Sequence, residues 1–295
     1  MKLENTGKAT LAILLATLIW GMTFAFIKDA VTSTSPCNFL FWRFGMASLI
    51  MLVLFFKKIH FTDKKLLLQG IWLGLFLAAT VFFQTIGLQY TDASTASFIT
   101  GLSVVLVTLL VCLFERRWPS LYLVLAVFLT IIGVSFITLS HGMVINRGAI
   151  WVLLCAICFA FYIILAGKFS KSEQPITLTF VQLLTIFIIT AVLGCVLGKI
   201  NIPKVGSAWV GIVFCAIFAS VIAFLLQLRY QRFVSASKTA IIFAAEPIFA
   251  TITAALYLDE HLSLKFGIGA VLIFMGMILS EKKMIARNKP IMPQD

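Results

Sequence analysis

Charge is what this sequence has least of. Only 12% of its 295 residues are Asp, Glu, Lys or Arg, against 61% hydrophobic residues and a mean hydropathy of +1.09. Soluble domains carry about 25% charged residues. Histidine is scarce too, with His60, His141 and His261 all in short polar breaks. There is no Walker motif, no HExxH and no convincing nucleophile–base pair, so ATP-driven transport by this chain alone is not expected. No long soluble loop interrupts the apolar runs. With so little polar chain available, lipid must replace water as the solvent for most side chains, and the class is a polytopic membrane protein.

The charge that is present is mostly basic, with a formal net charge of +12. Nucleic-acid binding does not follow, because the basic residues sit in short breaks between apolar runs and not on one face. The apolar run from Leu11 to Ile27 follows Lys2 and Lys8 as in a signal peptide. It is long, contains Trp20-Gly21 and lacks a small-x-small cleavage site, so it reads as a first membrane helix. Cys155-x-x-Cys158 has no second pair and no nearby histidine, and reads as packing. No cofactor and no metal are expected.

A spanning helix needs ~20 mostly apolar residues. Ten runs qualify, at 10–29, 37–56, 66–88, 94–114, 120–139, 148–167, 176–198, 209–229, 238–257 and 264–281. Seventeen Lys and Arg residues lie at the N-terminus, in the even-numbered breaks and in the tail, against five in the odd-numbered breaks. That asymmetry predicts a multi-pass protein of the cytoplasmic (inner) membrane with both termini cytoplasmic.

The chain also repeats itself. Pro36 opens run two and Pro175 opens run seven, an offset of 139 that carries Arg43 onto Gln182. TDASTASFITGLSVVLVTLL (91–110) aligns with VSASKTAIIFAAEPIFATIT (234–253) at an offset of 143, matching Ala93 with Ala236, Ser94 with Ser237 and Thr108 with Thr251. Two copies of five spans must enter the membrane from opposite faces, since five is odd. The expected fold is therefore all-α, with ten transmembrane helices as two inverted five-helix repeats over 1–143 and 144–284 and a cytoplasmic tail over 285–295. Inverted repeats place substrate near the midplane between halves.

These residues resemble the drug/metabolite transporter superfamily with its paired EamA-type domains. The likeness lies in Trp20-Gly21, Arg43, YTDASTASF, and SASKTAIIFAAEPIFATITAALYLDEHLS, and covers nearly the whole chain. The first copy departs from the pattern. Ser103, Val104 and Thr108 stand where many members carry a proline in span four, and Phe159-Ala160 replaces a Trp-Gly pair in span six. The resemblance implies a ten-helix basket whose central cavity is lined by spans one, three, four, six, eight and nine. It also implies alternating-access transport of a small metabolite, with export of amino acids or related compounds as the leading activity.

Glu246 is the most informative single residue. A carboxylate at a helix centre costs ~2.5–3.5 kcal/mol on insertion scales, and such groups face a cavity or a partner. It is a candidate for proton coupling or a hydrogen-bonded structural acid. Pro247 removes a backbone bond and predicts a kink with a freed carbonyl at Phe243. Arg43, about six residues into run two, and Glu246, about eight residues into run nine, differ in depth by roughly 9 Å across a ~30 Å core, which argues against a simple ion pair. Arg43 is expected to snorkel outward or to bind helix-end carbonyls, with attraction of an anionic substrate group as the rival role. Trp20 sits mid-span, where its indole N–H needs a partner.

Phe82, Gln84, Tyr90, Ser97, Thr100, Ser103, Tyr162 and Gln227 complete the candidate cavity lining, a mix of aromatics and hydrogen-bonders suited to an amphipathic solute. The expected partners are a small-molecule substrate, protons as a candidate co-substrate, and the bilayer, with the chain a monomer or weak homodimer. The rival functions are a membrane-embedded lipid-modifying enzyme and an importer of a cationic amine such as choline, held in an aromatic cage.

Overall fold

The computed structural model describes residues 2–59, 61, 63–114, 116, 118–138, 147–172, 174–234, 239 and 242–287. Every described element is helical, as backbone in lipid requires, since each N–H and C=O must be satisfied within the segment. The helices are α1 (Lys2–Ser33), α2 (Pro36–Phe55), α3 (Lys64–Tyr90), α4 (Ala93–Gly101), α5 (Ser103–Phe114), α6 (Leu121–Thr138), α7 (Arg147–Phe169), α8 (Pro175–Val196), α9 (Gly206–Phe214), α10 (Phe224–Tyr230), α11 (Glu246–Tyr257) and α12 (Leu264–Arg287). A π-helical stretch, Cys215–Ala223, joins α9 to α10.

Local chemistry sets the helix starts. Ser35 caps α2 by accepting from the Asn38 amide at 3.2 Å, with Pro36 in the first turn where its missing N–H costs nothing. Asp63 does the same for α3 through the Leu66 amide at 3.0 Å. Inside the helices, hydroxyls turn back on their own backbone, as in Thr17 to the Ile13 carbonyl, Thr80 to Phe76 and Thr85 to Val81. A threonine can therefore sit in a buried helix without a neighbour's help.

Among the described residues, seven helical stretches are long and apolar enough to cross a membrane, and two shorter apolar helices, Leu121–Ile137 and Leu264–Leu279, accompany them. Of the ten runs expected from sequence, run nine corresponds to none of these stretches among the described residues. That run is divided by a turn at Ala244–Ala245, and only the 12-residue α11 follows it. Run four is divided as well, at Leu102 between α4 and α5. The second half-helices open at Ser103 and Glu246, 143 residues apart.

Packing joins distant parts of the chain. α3 packs on α7 and α8, α2 packs on α8 and the π stretch, and α1 packs on α9, the π stretch and α11. α4 and α5 pack on α7, and α6 packs on α12. The α6–α12 contact is backbone to backbone, because a Cβ on Gly133 would lie 2.7 Å from the Gly269 carbonyl oxygen. Glycine lets the two helices approach that closely without any interhelical hydrophobic drive. Of the other glycines of α12, Gly276 abuts Thr130, whereas Gly267 has open space beside it. The 143/144 boundary, the tail from 288, Ala236, Ser237, His60 and His141 lie outside the described residues.

Candidate functional site

The centre of the helix assembly holds a cavity lined by Trp20 and Thr23 of α1, Arg43 of α2, Leu77, Thr80, Val81 and Gln84 of α3, Thr100 of α4, Phe159 of α7, Phe224 of α10 and Glu246 of α11. Its volume is ≈ 40 Å³. That holds about three waters at 10–15 Å³ each and falls well short of the ~300 Å³ or more of a small-molecule site.

Glu246 reaches this cavity from a helix start. Ala245 is the N-terminal boundary of α11, and the Ile248 and Phe249 amides both point back to its carbonyl, at 3.1 and 3.3 Å. At the expected proline kink the helix is interrupted by a turn at Ala244–Ala245, with the Ala245 amide donating to the Ile242 carbonyl at 3.1 Å. Pro247 stands in the first turn of a new helix, where no intrahelical bond is lost. The positive end of the α11 dipole falls on the acid, which lowers the cost of a carboxylate there. Glu246 is 7% exposed, and among the described residues its carboxylate has no hydrogen-bond or ion-pair partner.

Arg43 does not snorkel, which was one of the two placements expected for it. It is 3% exposed, donates from Nε to Ser220 Oγ at 3.0 Å, and lies 4.8 Å from the Phe44 ring centroid. Opposite charges therefore face one cavity without pairing, as the depth estimate anticipated.

The π stretch supplies much of this geometry. It holds Ser220 against Arg43, and the Ala219 carbonyl accepts from Trp20 Nε1 at 3.0 Å. A π turn offers carbonyls to neighbours that an α-helix would retain, which is why such turns recur at functional sites. Trp20 then sits among Phe224, Phe243 and Phe159 with ring centroids 5.0, 5.4 and 6.4 Å away. Behind this aromatic wall, Tyr162 lies 3.3 Å from Gln182 Oε1 and 3.1 Å from Gln227 Oε1, and Gln227 donates to Gln231.

The two helix breaks meet each other. A Cβ on Gly101 would lie 3.2 Å from Pro247 Cγ, so the end of α4 packs on the start of α11. A Cβ on Gly21 would lie 2.8 Å from the Glu246 carbonyl oxygen, so α1 crosses α11 at the same level.

Of the candidates read from sequence, Trp20, Arg43, Gln84, Thr100 and Glu246 converge on the cavity. Tyr162 and Gln227 stand one layer behind it. Ser97 is buried and donates to the Ser94 carbonyl, and Ser103 is buried at the start of α5, neither lining the cavity. Phe82 packs edge-on to Phe83 away from it. Tyr90 is 57% exposed at the end of α3, so its place in the lining is corrected.

Sequence reasoning passed over Thr80, Thr23 and Ser220. Thr80 and Gln84 share one face of α3 at i, i+4 spacing, which could have been read. Nothing in the sequence marks the π stretch that presents Ser220. It also passed over Glu260, whose carboxylate accepts from the Ala93 and Ser94 amides at 2.7 and 3.1 Å and from Ser94 Oγ at 2.6 Å, capping α4 from a distant loop. At the same, lysine-poor end, Lys28 Nζ donates to the Thr91 carbonyl and Tyr257 donates to Asp29 Oδ2, both at 3.0 Å.

Comparison with known proteins bears on the same chain length. An uncharacterized transporter of Archaeoglobus fulgidus is 33% identical over 279 residues, covering 92% of this chain and 85% of the relative. The uncharacterized transporter YyaM of Bacillus subtilis is 26% identical over 276 residues, covering 88% of each. One solved crystal structure superposes with a TM-score of 0.70 at 17% identity, covering 96% of this chain and 99% of the other, a likeness of fold. The EamA-like transporter family model matches twice, at residues 7–139 and 146–281. An all-helical, multi-pass chain matched along nearly its whole length belongs to that family, and the chain is a membrane protein of the EamA-like transporter family.

Proposed function

We propose that the protein is a secondary transporter that moves a small zwitterion, an amino acid or a close relative, by alternating access across the cytoplasmic membrane. The observation that carries the reading is one small cavity in which a guanidinium and a carboxylate face the same space without neutralising each other. Two unpaired opposite charges in an apolar surround are costly. A ligand bearing a carboxylate and an ammonium offsets both. Arg43 would take the carboxylate through its planar fork, and Glu246 with the Trp20 face would take the ammonium. The export direction follows from the family resemblance, and both termini are assigned to the cytoplasm from the lysine and arginine asymmetry.

Two inverted repeats are supported by the contact pattern. Exchanging run one with six, two with seven, three with eight, four with nine and five with ten maps each principal contact onto another. The α3–α7 contact becomes that of the α9–α10 helix with α1, and α4–α7 becomes α11–α1. α2–α8 and α6–α12 map onto themselves. The paired helix breaks at the 143-residue offset obey the same exchange. Discontinuous helices at corresponding places of two halves mark the site in other secondary transporters. Glu246 exists in only one copy, and on this reading it also carries the proton when substrate leaves.

A binding panel on the purified protein tests the proposal, using thermal shift with neutral amino acids, choline and a simple carboxylate. A neutral amino acid should stabilise the wild type where the amine and the carboxylate do not. Arg43→Gln and Glu246→Gln should each abolish the shift. A choline shift that survives Arg43→Gln would replace the zwitterion reading with the cationic-amine one.

A further inference from the structure

A second cavity of ≈ 420 Å³ lies on the outer side of the helix assembly between α2 and α8, lined by Phe41, Met46, Leu49, Leu52, Phe180 and Phe187 among other mainly apolar groups. From Phe41 to Leu52 it follows α2 for ~16 Å at 1.5 Å per residue. A third cavity, of ≈ 380 Å³, is different in kind. It is lined by Lys57, Lys58, Arg229 and Arg232 together with Gln174, Pro175 and Ile176, and none of the described lining residues is acidic.

The two cavities belong to the same pair of helices. Lys57 and Lys58 continue α2 through one 3-10 turn, Phe56–Lys58. Pro175 and Ile176 open α8, whose start has no side-chain cap, so the positive end of its dipole adds to the cations. The basic basin therefore stands at the lysine-rich end of the apolar groove, with Lys57 ~7.5 Å along α2 from Leu52. Topology alone requires cations on one face of the membrane. It does not require four of them, from two separate segments, to converge at the head of an apolar groove.

We propose that α2 and α8 hold one anionic phospholipid of the lysine-rich leaflet. Its phosphate sits in the basin of Lys57, Lys58, Arg229 and Arg232, and one acyl chain lies in the groove. The charges suit the head, since guanidinium forks and ammonium groups bind phosphate oxygens. Basic pockets between membrane helices on the cytoplasmic side recognise lipid heads in this way. The groove suits the tail and excludes a soluble phosphate as the natural occupant. α2 and α8 are runs two and seven, so the lipid would sit where the two halves of the chain touch.

The test is lipid titration of the delipidated full chain in a neutral detergent, read by native mass spectrometry. The probes are phosphatidylglycerol, phosphatidylcholine with the same acyl chains, and soluble glycerol phosphate. One phosphatidylglycerol should bind at least tenfold tighter than phosphatidylcholine, a preference that shrinks with added salt. At about fivefold per charge, Lys57→Gln/Lys58→Gln/Arg229→Gln should erase the preference. Lys64→Gln/Lys65→Gln/Lys171→Gln, on the same face but outside the basin, should change it less than twofold. Met46→Trp should weaken both lipids by filling the groove. If the triple variant is unstable, Lys57→Gln/Lys58→Gln, two exposed side chains, carries the same test with two of the three charges removed. Equal binding of the two lipids overturns the proposal, as does an equal loss in the control variant. Displacement by glycerol phosphate would mean a soluble-anion site and overturns it too. No transport is measured, so the result stands apart from the substrate reading.

Discussion

Three side chains bring opposite charges and an aromatic wall to one point. Trp20 is fixed by a single interhelical bond to the Ala219 carbonyl, Arg43 by one to Ser220, and Glu246 by its place at the start of α11. Trp20→Phe keeps an aromatic ring and removes the donor. Interhelical hydrogen bonds in membranes are worth about 0.6 kcal/mol on average and up to about 1.7 kcal/mol. The variant should therefore fold, with a slightly lower melting temperature in detergent, while losing substrate-induced stabilisation because the π stretch that holds Ser220 against Arg43 is no longer tied to α1. Full retention of that stabilisation would mean that the indole serves packing alone.

At the scale of the element, the two broken helices matter most. α4 ends against Pro247 at the start of α11, and the far end of α4 is held by Glu260, three residues beyond the end of α11 at Tyr257. Both ends of α4 thus answer to the other half of the chain. A helix cap is worth about 1 kcal/mol. Glu260→Ala should leave the fold intact and raise the access of water-soluble reagents to the central cavity from the lysine-poor side by several-fold, read as the rate of thiol labelling at Thr100→Cys. No change in that rate would show that the Glu260 link does not hold the closed state. The sequence carried part of this. The 143-residue offset was legible from Ala93, Ser94 and Thr108, because repeated residue types survive where small and hydroxyl groups must pack. The break itself was not, because a proline after an acid in an apolar run reads equally well as a kink or as a first turn. The Glu260 cap was invisible for a different reason. Two of its three partners are backbone amides 167 and 166 residues away, and backbone groups leave no mark in composition.

For the whole molecule, hydropathy gave the class, since lipid imposes it on composition directly, and the placement of lysines carries the proposed orientation. The site was half legible. Glu246, Arg43, Trp20, Gln84 and Thr100 stood out as polar or bulky groups in apolar runs, and all five line one cavity. Tyr90 did not follow, because a residue near a helix end can face solvent as readily as a pore. The cavity of ≈ 40 Å³ is too small for an amino acid as it stands, so the proposed alternating access requires the two halves to part before substrate enters. Labelling of a single cysteine at Thr100, in a chain whose six native cysteines are replaced, tests this most directly. Membrane-impermeant thiol reagent is applied to oriented proteoliposomes from one side and then from the other. Alternating access predicts labelling from both sides, protection by a neutral amino acid, and loss of that protection in Glu246→Gln. Labelling from one side alone, indifferent to ligand, would contradict it.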